Sequence, residues 1–138
     1  MNDKKICFIM CVNDKMYEEE CLYYINHLVI PNGYEIDVIS IKEAESMTQG
    51  YNAAMASTDA KYKIYMHQDV FLVKSDFIQN MLDIFSDLEV GMIGMVGAEK
   101  LSADGCMWNG DRVGKIYSSN IVNTHLFVAS DKQNKPYT

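Results

Sequence analysis

The sequence predicts an α/β fold with a mostly parallel sheet covered by helices. Strand and helix signals alternate along residues 4–98, which is typical of such sheets. Hydrophobic residues make up 49% of the chain and charged residues 22%, as in ordinary globular proteins. The 138 residues suit one compact unit. We therefore expect a single domain over residues 1–138, with a regular α/β part at about 4–98 and a turn-rich extension at about 99–138.

The first elements are predicted from two apolar runs and one helical stripe. A buried strand is expected at about Lys5 to Val12, and a second strand at about Glu35 to Ile41. Between them, Met16 to Leu28 has apolar residues on one helical face, and Pro31-Asn32-Gly33 ends that helix. The stripe consists of Tyr17, Cys21, Tyr24, Ile25 and Leu28.

A capping box and a serine mark the starts of two further helices. Ser46-Met47-Thr48-Gln49 has the S-x-x-Q form, so a second helix should begin there and lead into a strand ending at His67. Ser75 is expected to cap a third helix. The residues predicted to face the sheet are Met47, Tyr51, Ala54 and Met55 of the second helix, and Phe77, Ile78, Met81, Leu82 and Phe85 of the third.

Later strands are predicted with weaker signals. Val90 to Val96 is an apolar run with the length of a strand. Turn-rich stretches follow it, around short strands expected at Val113 to Tyr117 and at Ile121 to Val128.

Charge and composition exclude several classes of function. The net charge of −7 argues against broad contact with nucleic-acid or membrane phosphates. No run approaches the roughly 20 apolar residues that span a bilayer, and Ile6 to Val12 lacks the cleavage site of a signal peptide. We therefore expect no membrane span and a cytoplasmic location. No C-x-x-C pair occurs, so the four cysteines are interpreted as reduced, buried thiols.

The strongest candidate site is the triplet His67-Gln68-Asp69, which follows a predicted strand directly. Ligands of open α/β sheets bind outside the carboxyl ends of strands, so a histidine and a carboxylate at this point suggest a reaction centre. One imidazole and one carboxylate suit Mn²⁺ better than Ca²⁺. In the alternative interpretation, His67 is an ordinary strand-end histidine and Asp69 belongs to a turn or a helix cap.

Trp108 is a second candidate, because it stands in a polar loop beside Asn109 and Asp111. An aromatic face complements the C–H surface of a sugar while nearby polar groups bind hydroxyls, so Trp108 and Asp111 are candidates for contact with a sugar. The alternative is plain packing of the single tryptophan.

Three segments carry a resemblance to a known family: Met47 to Met55, Tyr62 to Val70 and Ile93 to Gly97. Together they resemble a family 2-type glycosyltransferase of the GT-A fold, and more narrowly the glycosyltransferase-like family that includes a streptomycin-biosynthesis protein. The resemblance covers roughly Lys5 to Trp108.

The resemblance implies a donor site at the carboxyl edge of the sheet. His67-Gln68-Asp69 stands where the family has Asp-x-Asp, which implies that Asp69 and His67 hold a divalent cation, Mn²⁺ or Mg²⁺, on the diphosphate of a nucleotide sugar. Asn52 matches a helix asparagine of the family, with Tyr51 expected in the core. Val12 and Asn13 leave the first strand where the family's nucleotide sits, whereas Asn13 or Asp14 could equally cap the first helix. The implied donor-binding residues are Val12, Asn13, Asn52, His67, Gln68 and Asp69.

Two departures limit what the resemblance implies. The second strand runs Ile39-Ser40-Ile41-Lys42-Glu43 instead of ending in the acidic residues that meet the base and ribose, so no nucleotide is assigned. No general base is recognisable, so the chain is interpreted as the donor-binding half of a longer enzyme. The expected function is metal-assisted transfer of a hexosyl or related sugar, with inversion, to a saccharide or lipid-linked acceptor. The alternatives are a non-catalytic nucleotide-sugar-binding module or incomplete fragment, and a flavodoxin-like regulatory domain.

Overall fold

A computed structural model describes residues 1–119 and 126–130. The chain divides into two compact units, Met1–Ser86 and Asp87–Thr138. The first unit contains strands β1 (Asn2–Val12), β2 (Glu35–Lys42) and β3 (Ala60–His67), and helices α1 (Lys15–Asn26), α2 (Met47–Ser57) and α3 (Phe77–Ile84). The second contains strands β4 (Val96–Ala98), β5 (Arg112–Ser119) and β6 (Leu126–Ser130), with a 3₁₀ helix at Met107–Asn109.

The first unit is built on a three-stranded parallel sheet in the order β2-β1-β3. The central strand β1 is fully buried from Ile6 to Met10, as expected for a parallel strand covered on both faces. Near its end, Cys11 pairs with Ile41 on one side and His67 on the other, so the carboxyl ends of all three strands meet at one edge. The predicted α/β fold is confirmed, and the arrangement is consistent with a GT-A-like fold.

The two faces of the sheet are covered by different helices. Helix α2 packs on the face that carries Cys7 and Ile9, where Ala54 and Ala60 complete a buried cluster. The opposite face contributes Tyr62, which contacts the Phe85 ring just after α3 with centroids 5.5 Å apart. Helix α1 reaches that same face through an ion pair between Glu18 and Lys42. The helices therefore lie on both sides of the sheet, as the alternating sequence pattern predicted.

The structure confirms one of the two predicted helix N-caps. The Ser46 hydroxyl accepts a hydrogen bond of 3.1 Å from the Gln49 amide, which confirms the start of α2. The prediction that Ser75 caps α3 was wrong, because the cap position is Asp76, which makes no side-chain cap bond. Ile78 and Met81 of α3 are buried as predicted.

The predicted inner face of α2 was only partly correct. Ala54 is buried and Tyr51 packs against the core, whereas Met47 and Met55 are about half exposed. The small residues Gly50 and Ala54 face the sheet and let the helix approach closely. The longer methionines therefore flank the line of contact instead of forming it.

The second unit differs from the prediction at its start. No strand covers Val90 to Met95, and β4 is a three-residue strand that pairs antiparallel with β5. Glycines at positions 91, 94 and 97 supply no side chain to pack, and Met92 and Met95 are 88% and 64% exposed, so a buried parallel strand does not form here.

The later strands agree better. Strand β5 confirms the strand expected at Val113 to Tyr117, and β6 overlaps the end of the one expected at Ile121 to Val128. Residues 121–125 of that prediction lie outside the described residues. The organisation as a single domain stays a prediction.

Candidate functional site

An open cavity of about 350 Å³ lies at the carboxyl edge of the parallel sheet, within the first unit. This is the edge at which open α/β sheets bind ligands, and the volume falls within the range of small-molecule sites. The ends of all three strands and the start of α2 contribute to its wall. Its lining residues are Cys11, Val12, Asn13, Ile41, Glu43, Ala44, Met47, Tyr51, His67, Gln68 and Asp69.

The predicted triplet forms a tight turn at the end of β3. His67 is the last strand residue, and the Val70 amide donates a hydrogen bond of 3.2 Å to the His67 carbonyl, which closes the turn around Gln68 and Asp69. His67 and Asp69 are both exposed and both line the cavity. The structure therefore brings the two predicted metal ligands to one wall.

Gln68, between them, is half buried and makes contacts of a different kind. Its Oε1 accepts hydrogen bonds from the backbone amides of Asn13 and Asp14, at 3.0 and 3.1 Å, and its Nε2 donates to the Asn13 side-chain Oδ1. One side chain thus joins the end of β3 to the turn between β1 and α1. We call these three bonds the Gln68 clamp.

Asp14 caps α1, as one of the two interpretations of this turn predicted. Its Oδ1 accepts hydrogen bonds from the Met16 and Tyr17 amides, at 2.8 and 3.4 Å. Val12 and Asn13 line the cavity beside it. The turn between β1 and α1 is therefore held on both sides. Asp14 caps α1, and the Gln68 clamp joins the turn to the end of β3.

A carboxylate that the sequence analysis did not assign lies at the end of β2. Glu43 lines the cavity and has a φ of +57°, a left-handed backbone that side chains other than glycine adopt rarely. The preceding Lys42 forms an ion pair of 3.2 Å with Glu18 of α1. Backbone strain of this kind is concentrated at functional sites, so Glu43 joins the candidate residues.

Glu18 is a buried carboxylate, with only 8% of the residue exposed. A hydrogen bond from Ser40 and the ion pair with Lys42 both lower the pKa of Glu18, against the opposing effect of burial. Glu18 therefore stays ionised at neutral pH and holds the end of β2 against α1.

Helix α2 forms the remaining wall. Tyr51 lines the cavity, and burial raises the pKa of its hydroxyl, which donates a hydrogen bond of 3.0 Å to the Met66 carbonyl. Asn52 is exposed and does not line the cavity, because successive helix residues point about 100° apart. Its role in donor binding stays a prediction.

The thiols are free, as predicted, but not all are buried. Cys7 and Cys21 are buried, whereas Cys11 and Cys106 are half buried, and Cys11 lines the cavity. The Cys21 thiol lies 3.5 Å from the Val70 carbonyl. Burial, with a contribution from the Asp69 carboxylate, raises the pKa of Cys21 to about 11, so this thiol is unreactive at neutral pH.

The two predicted metal ligands, His67 and Asp69, both line the cavity. Within residues 1–119 and 126–130, no group of three or more His, Cys, Asp or Glu side chains is arranged to hold a metal ion. His67 and Asp69 would therefore need oxygen atoms from a ligand to complete a coordination shell. Mg²⁺ is commonly bound in this way, by one or two carboxylates together with substrate phosphates.

The other predicted contact residues belong to the second unit. Trp108 is 49% exposed on the 3₁₀ helix, and Asp111 is exposed. Asp104 organises this loop by accepting hydrogen bonds from Ser102, the Cys106 amide and the Asn109 side chain, which lower the pKa of Asp104 to about 2. The proposed sugar contacts of Trp108 and Asp111 stay predictions.

Sequence reasoning missed Cys11, Ile41, Glu43, Ala44, Met47 and Tyr51 as cavity residues. Glu43 was not assigned because the segment Ile39 to Glu43 was interpreted as a departure from the acidic strand end of the family, whereas Glu43 directly follows β2, which ends at Lys42. One general signal could have found Glu43. Because β2 is parallel to β1, the residues just after β2 reach the same carboxyl edge of the sheet as the end of β1.

Comparison with known proteins agrees with this fold. Residues 7–138 match the model of a family described as "Glycosyltransferase like family". No curated protein and no solved structure matches the chain. Among the helices of the described residues, none has the length and apolar character needed to cross a membrane. Since the family match covers most of the chain, this protein belongs to the glycosyltransferase-like family.

Proposed function

We propose that the first unit binds a nucleotide-diphosphate sugar at the carboxyl edge of its sheet. Family membership supports a general glycosyltransferase function, with a sugar donor and an acceptor. The observation that carries the finer proposal is that His67 and Asp69, from the end of β3, line one cavity with Glu43, from the end of β2.

In this proposal the two ends of the cavity wall serve different parts of the donor. Asp69 and His67 would hold Mn²⁺ or Mg²⁺ on the diphosphate, whose oxygens complete the coordination shell. The bound cation would act as a Lewis acid and stabilise the negative charge on the departing phosphate. The Glu43 carboxylate can accept hydrogen bonds, so it would bind ribose hydroxyls, which donate them.

The remaining parts of the proposal rest on the family resemblance. They are an inverting transfer, a relation to the streptomycin-biosynthesis type, and a saccharide or lipid-linked acceptor, with Trp108 and Asp111 as candidate acceptor contacts. A cytoplasmic location belongs to the same proposal. The described residues offer no assignment of the general base.

The test is thermal unfolding of the wild type and Asp69→Ala with UDP, GDP, ADP, CDP and their sugar conjugates. Each ligand is added with Mn²⁺, with Mg²⁺ or with EDTA. Binding to the native state alone stabilises it by about 2.7 kcal/mol at 100 times the Kd. We expect a metal-dependent shift for one nucleotide that Asp69→Ala abolishes. Asp3→Ala, at the start of β1, removes another exposed carboxylate and should keep the shift.

Product analysis then separates an enzyme from a binding module. Incubation of the stabilising sugar nucleotide with the protein and Mn²⁺ should slowly release free sugar and nucleoside diphosphate. A donor that binds but stays intact would favour the non-catalytic module. The absence of any shift in the wild type would contradict the proposed donor site.

A further inference from the structure

We propose that Gln68 is a positioning residue, which orients Asn13 so that the Asn13 side chain presents a hydrogen-bond donor to the nucleotide. This inference rests on the proposed function, because it assigns a role within the same donor cavity. It differs from direct nucleotide binding, the role that the family resemblance implied for Gln68.

The first argument is how Gln68 uses its polar atoms. A glutamine carbonyl oxygen can accept two hydrogen bonds, and both are taken by the amides of Asn13 and Asp14. The Nε2 group donates to Asn13 Oδ1. Gln68 lines the cavity as a half-buried residue and uses these polar atoms to bind the β1–α1 turn, while its neighbours His67 and Asp69 line the cavity as exposed residues.

The second argument is what the clamp leaves available on Asn13. Asn13 is exposed and lines the cavity, and its carboxamide has one acceptor end and one donor end. Oδ1 keeps one lone pair, but it is turned toward Gln68 by the bond from Nε2, so the end of the carboxamide that remains for a ligand is the Nδ2 amide. An N–H group suits the acceptor oxygens of a nucleobase or a phosphate, and the proposed nucleotide-diphosphate sugar carries both.

The third argument is that only a carboxamide at position 68 makes all three bonds of the clamp. A glutamate could still accept from both backbone amides, but it could not donate to Asn13 Oδ1. Asn13 would then have to turn its carboxamide over and donate Nδ2 to the glutamate, so that its acceptor end remains for the ligand. Gln68→Glu therefore keeps the turn and reverses the polarity that Asn13 presents.

The experiment compares Gln68→Glu with Gln68→Met, which has a similar length but accepts no strong hydrogen bond. The probes are UDP, GDP, ADP and CDP with Mn²⁺, and the Kd is measured for whichever stabilises the wild type most. Hydrogen exchange of the Asn13 and Asp14 amides reports the clamp without any ligand. We expect Gln68→Glu to keep slow exchange and a melting temperature near that of the wild type, yet to bind roughly tenfold more weakly, as for one lost hydrogen bond. In Gln68→Met, the amide hydrogens of Asn13 and Asp14 should both exchange fast.

A double-mutant cycle distinguishes this role from the added charge of glutamate. If Gln68 acts through Asn13, Asn13→Ala should weaken binding about as much as Gln68→Glu, and the double variant no further. Additive losses would mean that the charge itself is responsible, and would overturn the inference. So would an unchanged Kd in Gln68→Glu, or equally slow exchange in Gln68→Met. The absence of a nucleotide shift in the wild type would instead refute the proposed function, and this inference with it.

Discussion

The Tyr51 hydroxyl donates a hydrogen bond of 3.0 Å to the Met66 carbonyl, which fastens α2 to β3 one residue before His67. Since Tyr51 and His67 both line the cavity, the bond couples the position of a wall helix to that of the candidate ligands. We expect Tyr51→Phe to lower the free energy of unfolding by about 1 kcal/mol, the usual net contribution of one hydrogen bond. Denaturant unfolding measures it.

Tyr65→Phe is the matched control for that prediction. The Tyr65 ring packs against Tyr51 with centroids 5.4 Å apart, and within the described part of the chain its hydroxyl makes no hydrogen bond. Its removal should change stability by less than about 0.5 kcal/mol. Equal effects of the two substitutions would show that the Tyr51 bond contributes nothing.

Gly50 allows α2 to approach the sheet at the cavity. A Cβ at this position would lie 3.0 Å from Cys11 Sγ, 3.2 Å from Ala44 Cβ and 3.3 Å from Ile41 Cγ2. Gly50→Ala should therefore destabilise the protein, because crowding costs about 1–3 kcal/mol, more than the roughly 1 kcal/mol that alanine gains over glycine in a helix. Thermal and denaturant unfolding measure the net effect.

The Cys11→Ala background tests the cause of that loss. It removes the nearest clashing atom, so Gly50→Ala should become neutral or stabilising there. Ala53→Gly, at an exposed position of α2, measures the difference in helix propensity between alanine and glycine without any crowding. If Gly50→Ala destabilises the Cys11→Ala protein as much as it destabilises the wild type, the contact with the thiol is not the cause.

The buried Glu18 should make stability depend on pH. Its pKa is lowered from an ordinary value of 4.5 by Ser40 and Lys42. A carboxyl whose pKa is lower in the folded state contributes stability above its unfolded pKa and loses it as pH falls through the folded pKa. Glu18→Gln should therefore be about 1–2 kcal/mol less stable at pH 7, with the difference from wild type shrinking below about pH 4.5. Denaturant unfolding at a series of pH values measures this difference.

Glu19 provides the control on the same helix. It forms an exposed i,i+4 pair with Lys15 at 3.3 Å, and such surface pairs contribute little. Glu19→Gln should change the free energy of unfolding by less than about 0.5 kcal/mol across the same series of pH values. A Glu18→Gln deficit that does not depend on pH would mean that the ion pair is not its source.

The left-handed backbone at Glu43 should be visible as a preference for glycine. Glu43→Gly and Glu43→Ala both remove the carboxylate, so the difference between their unfolding free energies reports the backbone alone. We expect the glycine variant to be about 1 kcal/mol more stable, because a Cβ is unfavourable at a φ of +57°. Glu45, which has no positive φ, should show the opposite order. Both variants at position 43 should bind the nucleotide more weakly if the proposed function holds.

Much of the first unit could be predicted from the sequence because its signals are local. The apolar run of β1, the Ser46 capping box and the stripe containing Ile78 and Met81 each follow from neighbours a few residues apart. The same locality placed His67 and Asp69 at a strand end. The run from Val90 to Val96 misled this reasoning, because its hydrophobicity matched a strand while its glycines left little to bury.

The sequence by itself determined the order of the elements and the residues at the end of β3, because periodicity and capping depend on adjacent side chains. Only the tertiary structure decided which distant residues meet there. Glu43 enters the cavity because β2 is parallel to β1 and turns left-handed at its end. Gln68, one of the residues that line the cavity, hydrogen-bonds to Asn13 because the ends of β1 and β3 lie side by side. These relations depend on strand register and on contacts between residues 55 positions apart, which no local pattern encodes.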